Sequence, residues 1–188
     1  MTSYKVYAND GSSAAAALSQ SAVATTDGST TVATVSQLSP GLLYSFAVSA
    51  VSDAGEGELS SVLAQSSSPG APASGPTSVH QTSTTISLEW SAPASDGSSG
   101  ADASGYRLYS IAAGTEPQVL YAGSATAYEQ VDLTAGTSYS YAVSAVSEAG
   151  ESPSTATFAQ YTAPGAPTGL SSSDWSTTSF DVSWVAPD

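Results

Sequence analysis

The strongest constraint on the fold of this chain is an internal repeat of about 95 residues. Residues 44–52, YSFAVSAVS, recur as residues 139–147, YSYAVSAVS, at a shift of 95 positions. The sequence PGAP recurs at the same shift, at residues 69–72 and 164–167. A period of this size is that of a small domain, so the 188 residues hold about two copies of one domain.

Two further pairs of matching segments alternate apolar and polar residues. Residues 86–90, ISLEW, correspond to residues 180–184, FDVSW, at a shift of 94. Residues 4–7, YKVY, correspond to residues 106–109, YRLY, at a shift of 102. This period of two is typical of half-buried strands. Short strands between Gly, Pro, Asp and Ser turns predict an all-β sandwich, and the alanine-rich residues 14–17 alone have helical character.

The charge balance excludes several partners. Asp and Glu total sixteen while Lys and Arg total two, which gives a formal net charge of −14. Nucleic acid and anionic membrane surfaces would repel such a chain. No apolar run approaches the ~18 residues of a membrane span, so we expect no membrane insertion by this segment. Cysteine is absent, which leaves no disulfide and no Cys-based zinc site.

Taken together, these motifs resemble a fibronectin type III domain. The resemblance rests on a Pro-rich entry, a strand ending in Trp90, the YRLY strand, a Leu-x-x-Gly step before Tyr139 and a Gly-containing hairpin turn. It implies tandem seven-stranded Greek-key β-sandwiches, one complete over residues 68–162 and two partial over residues 1–67 and 163–188. The first partial unit would begin at the third strand, and the last would hold the first two strands.

The resemblance also assigns a structural core. In this family a tryptophan packs between the two sheets, and the tyrosine after the Leu-x-x-Gly step forms a tyrosine corner. The residues at these positions are Trp90, Trp184, Tyr44, Tyr139, Leu133 and Leu38.

Three other residues are candidates for an interface. Trp175 aligns with Gln81, outside the common core, and either packs over a turn or contacts a partner. Lys5 and Arg107 hold the same place in their repeats, on the outward face of a strand. They are either solvated cations beside acidic neighbours or part of an inter-domain or inter-strand contact.

The sequence assigns no catalytic, cofactor-binding or metal-binding residue, and we expect no enzyme activity. His80 is the single histidine and lies in a polar stretch typical of a solvated surface residue. Clustered carboxylates could offer oxygens to calcium, but their spacing fits no known calcium loop, and solubilising charge is the preferred interpretation. These carboxylates belong to Asp53, Glu56, Glu58, Asp96, Asp102, Glu148 and Glu151.

Each partial unit would leave an apolar sheet face and a strand edge in water. Either the chain is a repeating segment of a longer polypeptide whose neighbours complete both ends, or residues 163–188 of one molecule complete residues 1–67 of another. Fifteen residues separate Trp90 from Tyr106, whereas the permuted junction offers seven, which favours the first explanation.

The leading functional hypothesis is a structural repeat segment of a large surface or extracellular fibrous or filamentous protein. Its domains would be rod-like spacers, stiffened by Pro-rich linkers, with lateral or head-to-tail self-association. Neighbouring repeats of the same protein are the expected partners, and glycans are a further candidate. The alternatives are an adhesion or ligand-binding module that uses the loop of residues 96–104, or a spacer in a multidomain carbohydrate-acting enzyme. An intracellular or ciliary scaffold is the alternative location.

Overall fold

The computed structural model describes residues 1–9, 11, 17–94 and 103–187. These residues form fifteen β-strands and no helix, which confirms the all-β prediction. Of the alanine-rich run with helical character, residues 14–16 lie outside the described part of the chain.

Residues 1–67 form a single antiparallel sheet. Its strands are β1 (Ser3–Ala8), β2 (Ala24–Asp27), β3 (Leu43–Ser52), β4 (Gly55–Glu56) and β5 (Leu63–Ser66). They run in the order β2-β1-β3-β4, and β5 also pairs with β3. No second sheet made of described residues lies over this one.

Residues 68–162 form two sheets. The first has the order β10-β7-β6, and the second has the order β12-β11-β8-β9 with β13 also paired to β11. The strands are β6 (Ser74–Gln81), β7 (Ile86–Ser91), β8 (Gly105–Ser110), β9 (Gln118–Gly123), β10 (Ala127–Gln130), β11 (Ser138–Ser147), β12 (Gly150–Glu151) and β13 (Phe158–Tyr161). Residues 163–187 contribute a two-stranded sheet of β14 (Thr168–Ser173) and β15 (Asp181–Val185).

The last strand of the complete unit is split into β12 and β13. Both pair with β11, and residues 152–157 between them are not strand, although the N–H of Ser152 still donates to the carbonyl of Ala145 at 2.8 Å and that of Thr155 to the carbonyl of Val143 at 2.9 Å. Pro153 has no N–H to donate to a ladder. Next to it, the hydroxyl of Ser152 accepts a hydrogen bond from the backbone N–H of Ala145 at 2.9 Å.

The core of residues 68–162 lies between the two sheets. Ile86, Leu88 and Trp90 alternate along β7 and form one buried cluster with Tyr106 and Tyr141 of the opposite sheet. Trp90 is 5% exposed, and its ring meets that of Tyr106 edge-on with 5.9 Å between centroids. This alternation buries one face of β7 completely, as its sequence pattern predicts.

The structure departs from the expectations at Trp184, the counterpart of Trp90. Trp184 is 61% exposed, because no second sheet of described residues covers β15. Residues 1–67 also lack a strand that the complete unit has. Residues 32–35 correspond to β10 but form no strand. In the complete unit β10 is held by β7, and the counterpart of β7 is β15, at the other end of the chain.

We expect Trp90→Ala to destabilise residues 68–162 by about 3–5 kcal/mol, because it opens a cavity between the sheets. Thermal and denaturant unfolding followed by circular dichroism measure this loss. Trp184→Ala is the matched control, and it leaves the melting temperature of that unit unchanged. Equal effects of the two substitutions would contradict the different burial of the two tryptophans.

Candidate functional site

One carboxylate links three strands of the first sheet. Glu56 on β4 accepts hydrogen bonds from Lys5 Nζ at 2.7 Å and from the Tyr7 hydroxyl at 2.5 Å, both on β1. It also accepts a hydrogen bond from Ser49 on β3. Lys5 and Tyr7 are two residues apart, so both project from the outward face. We call these four residues the first glutamate network.

The complete unit repeats this arrangement. Glu151 on β12 accepts hydrogen bonds from Arg107 and Tyr109 on β8 and from Ser144 on β11. Arg107 also forms an ion pair with Glu151. We call this set the second glutamate network. In both networks a glutamate, a tyrosine, a serine and a basic side chain hold an edge segment, β4 or β12, onto its sheet.

The networks lower the pKa of both glutamates. The hydrogen bond from Lys5, followed by those from Ser49 and Tyr7, lowers the pKa of Glu56 to about 2. Burial raises the pKa of Glu151, but its hydrogen bonds and the positive charge of Arg107 outweigh burial and lower that pKa overall. Both side chains are therefore ionised acceptors at neutral pH.

Lys5 and Arg107 each contact a glutamate on another strand of the same sheet, which is an inter-strand contact. Neither the serine nor the tyrosine partners were part of the sequence prediction. A signal for them exists, because the Ser and the Glu that it contacts lie seven residues apart in both repeats. An interface role for these cations beyond the chain stays a prediction.

Two tyrosines bond back to the turn before them. The backbone N–H of Ser39 donates to the Tyr44 hydroxyl at 2.8 Å, and that of Thr134 donates to the Tyr139 hydroxyl at 2.9 Å. Tyr44 is buried and Tyr139 is half-buried. Leu133, which precedes the second turn, is also buried. This is the geometry of a tyrosine corner, present in both repeats.

Each PGAP linker follows the same hydrogen bond at the end of its unit. The N–H of Gly41 donates to the carbonyl of Ser68 at 2.8 Å, and that of Gly136 donates to the carbonyl of Ala163 at 3.1 Å. The Ser68 hydroxyl also donates to the carbonyl of Ala149 in the next unit, at 3.2 Å. Ser68 is therefore bonded to the units on both sides of the first linker.

The linker glycines also pack alike. A Cβ placed on Gly70 would lie 3.8 Å from Pro40 of the preceding unit and 4.0 Å from Pro93 of the next. The second linker repeats this packing at the equivalent positions, where a Cβ on Gly165 would lie 3.9 Å from Ala135 and 3.5 Å from Pro187. The two junctions therefore share one local geometry.

The sheet of residues 1–67 carries an apolar groove on the face opposite the first glutamate network. The groove has a volume of about 500 Å³, and its lining includes Tyr4, Val6, Phe46 and Val48. Leu38 is half-buried at its margin, rather than enclosed in a core. We call this surface the open groove.

The hairpin of β14 and β15 exposes a second apolar surface. Val182 and Trp184 on β15 and Phe180, the residue just before it, alternate with polar residues, and all three are exposed. Trp175, in the turn between the strands, is 75% exposed and lies 6.0 Å from Phe180 between ring centroids. Trp175 thus packs over the turn and still presents most of its surface to solvent.

Within the described residues, no three His, Asp or Glu side chains gather at metal-binding distance. Glu56 and Glu151, which the sequence grouped with other carboxylates, are held by the two networks. Asp96 and Asp102 lie outside the described residues, as does most of the loop of residues 96–104. His80 is exposed on β6.

Comparison with protein families decides the classification. A model of the fibronectin type III domain matches residues 1–66 and residues 70–160. The chain belongs to the fibronectin type III family. A tandem array of fibronectin type III domains is thereby confirmed, and domains of this kind are generally non-catalytic modules. The predicted third segment, residues 163–188, lies outside both matches.

Similar solved structures are fibronectin type III domains as well. A two-domain segment of chicken tenascin is 18% identical, covers 85% of this chain and 84% of that chain, and gives a TM-score of 0.48. The sixth fibronectin type III domain of human fibronectin type III domain containing protein 3 is 27% identical, covers 53% of this chain and 93% of that chain, and gives a TM-score of 0.45.

A search of curated proteins for relatives of this fibronectin type III chain found no match. The described residues contain no helix of the length and apolarity needed to cross a membrane.

We expect the second glutamate network to make the stability of residues 68–162 depend on acid pH. The lowered pKa of Glu151 adds stability that is fully present above its ordinary value of about 4.5 and is lost as the pH falls below it. Glu151→Gln should therefore lower the melting temperature at pH 7, by an amount that shrinks below about pH 4.5. Thermal unfolding between pH 7 and pH 2.5 measures both effects.

Glu148→Gln is the control for that experiment. It removes the same charge from the same hairpin, at an exposed position outside the network. If Glu151→Gln and Glu148→Gln gave the same pH dependence, the network would not be the source of the effect.

Proposed function

We propose that this chain is a structural repeat element of a large fibrous or filamentous protein at the cell surface or in the extracellular space. Fibronectin type III domains are consistent with a structural or adhesion module in multidomain proteins. The domains of this chain serve as rod-like spacers, and copies of the element associate with one another. The element has no catalytic role of its own.

The observation that carries this proposal is the repeated junction between units. Gly70 lies near Pro40 of one unit and Pro93 of the other, and Ser68 is hydrogen-bonded to both units. Prolines at both ends of each PGAP linker restrict its backbone further. A linker fixed in this way sets the angle between neighbouring domains, as a rod requires and as a flexible tether does not.

The surface composition also supports a structural role. The sequence has one lysine, Lys5, and one arginine, Arg107. Each forms an ion pair with a glutamate of its own sheet. Most of the uncharged polar side chains are Ser and Thr. Their hydroxyl groups suit close lateral packing or a coat of sugars. The negative net charge of −14 disfavours anionic partners.

A spin-label distance measurement tests whether the first junction is rigid. The chain has no cysteine, so Ala64→Cys on β5 and Val119→Cys on β9 introduce two unique exposed labelling sites in neighbouring units. We expect a narrow distance distribution from double electron–electron resonance. Dilution with unlabelled protein removes distances between copies.

The matched control replaces residues 69–72 with Gly-Ser-Gly-Ser at the same length. This linker removes both prolines, so the distribution should broaden clearly. A native distribution as broad as that of the Gly-Ser chain would contradict the rod and favour a flexible tether for a binding module.

A further inference from the structure

We propose that the hairpin of β14 and β15 in one copy of this chain fills the open groove of a second copy. The contact would complete residues 1–67 as a two-sheet sandwich and would join the copies head to tail. This inference rests on the proposed function and specifies which residues make the self-association.

The complete unit is an internal template for the contact. The groove residue Val48 is 37% exposed, while its counterpart Val143, shifted by 95 positions, is 0% exposed. Val143 is covered in the cluster that contains Ile86, Leu88 and Trp90 of β7. The residues shifted by 94 positions from those three are also exposed, and they are Phe180, just before β15, and Val182 and Trp184 on β15.

The edge of the groove supplies a matching strand register. In the complete unit, β10 pairs with β7 so that Glu129 lies opposite Ser87 and Tyr128 lies opposite Leu88. The same shifts place Thr34 opposite Asp181, and Ala33 opposite Val182. Residues 32–35 form no strand in the single copy, and β15 provides the backbone partner that they lack.

The hairpin already has the shape that docking requires. In the complete unit, the turn between β6 and β7 is closed by a hydrogen bond from the N–H of Thr82 to the carbonyl of Thr85, at 3.0 Å. Ser176 and Ser179 make the equivalent bond at 2.8 Å. The hydroxyl pairs of both turns are also 2.8 Å apart. The hairpin can therefore dock without rebuilding its turn.

Chain geometry disfavours insertion of the hairpin into the groove of its own chain. Ser68, at the boundary between residues 1–67 and 68–162, is hydrogen-bonded to Ala149, just after the last residue of β11. Ala163 is hydrogen-bonded to Gly136, just before the first residue of β11. Ten residues of β11 span about 34 Å between these points. The six residues between β13 and β14 reach about 21 Å when fully extended.

A second copy has no such constraint. Because the hairpin leaves one end of the complete unit and the groove lies beyond the other, each copy can donate at one end and accept at the other. A head-to-tail contact of this kind does not close on itself, so it adds copies in a line. No loop has to join β15 to β1, since the two strands belong to different molecules.

Three Val→Glu substitutions in the full chain test the proposal. Val48→Glu places a carboxylate in the groove, and Val182→Glu places one on the docking face of the hairpin. Val119→Glu is the control, with the same change at an exposed position of β9. Val119 lies opposite Tyr109 of the second glutamate network, on the outward face of its sheet. Light scattering after size exclusion measures the mass of each protein over a range of concentrations.

We expect the wild-type protein and Val119→Glu to form species at multiples of 18.6 kDa that grow with concentration. Val48→Glu and Val182→Glu should each weaken association by about 100-fold or more, because either change would bury an unpaired carboxylate. Circular dichroism and the melting of residues 68–162 should stay unchanged, since neither valine belongs to that unit.

Mixing the two defective variants separates docking from misfolding. Val48→Glu retains an intact hairpin, and Val182→Glu retains an intact groove, so an equimolar mixture should form a dimer. The dimer cannot grow, because its free hairpin and its free groove both carry a glutamate. A mixture that stays monomeric would overturn the proposed contact.

Cysteine cross-linking tests the register. Thr34→Cys with Asp181→Cys places two thiols at the predicted antiparallel pair, within the range for a disulfide, so oxidation should give a ladder of linked copies. Thr34→Cys with Ser183→Cys is displaced by two positions along the strand and should give little linkage. Equal linkage in both pairs would contradict the register.

Several other results would overturn the inference. One is a wild-type protein that stays monomeric at about 100 μM, since burial of these three large apolar side chains predicts measurable association. Another is unchanged association of the Val48→Glu and Val182→Glu proteins, which would mean that a different surface makes the contact. A third is a source polypeptide much larger than 18.6 kDa whose own preceding residues fill the groove. None of these results changes the spin-label distances across the first junction. The docking proposal can therefore be overturned while the proposed rigid rod is retained.

Discussion

Packing of the apolar face of β7 against the opposite sheet is the interaction on which the complete domain depends. Ile86, Leu88 and Trp90 are all but removed from solvent there, and the tyrosines of the opposite sheet close over them. The same two surfaces occur again in the chain, but apart: the open groove near one end and the β15 face near the other. The same apolar pattern therefore produces one closed sandwich in residues 68–162 and two exposed surfaces, the open groove and the β15 face.

Some features do not depend on the packing of two sheets against each other. They are confined to one sheet or to one junction between units. The first glutamate network matches the second although no second sheet of described residues covers its own, because its contacts join neighbouring strands on the outward face. The tyrosine corners and the linker packing are likewise repeated. Residues 1–67 thus hold their sheet in shape before anything covers it, and a preformed acceptor costs little to order on binding.

Sequence patterns predicted the parts of this structure that follow from local periodicity and repetition. The alternation of β7, the burial of Trp90 and the β14–β15 hairpin are of this kind. Contacts between distant residues were harder to predict. The Tyr and Ser partners of Glu56 lie on two different strands, β1 and β3, and their convergence on β4 depends on strand register rather than on spacing along the chain. Residues 32–35 are the counterpart of β10, but a strand needs a neighbour, and none of the described strands pairs with them.

Amide hydrogen exchange at residues 32–35 is the most direct test of the claim that the two exposed halves are complementary. Ala127–Gln130 of β10 provide the internal reference, since these residues already pair with β7. We expect protection at residues 32–35 to rise with protein concentration toward that of the reference and to be absent in Val182→Glu. Exchange at the rate of an unstructured chain at every concentration, with the reference protected, would contradict it.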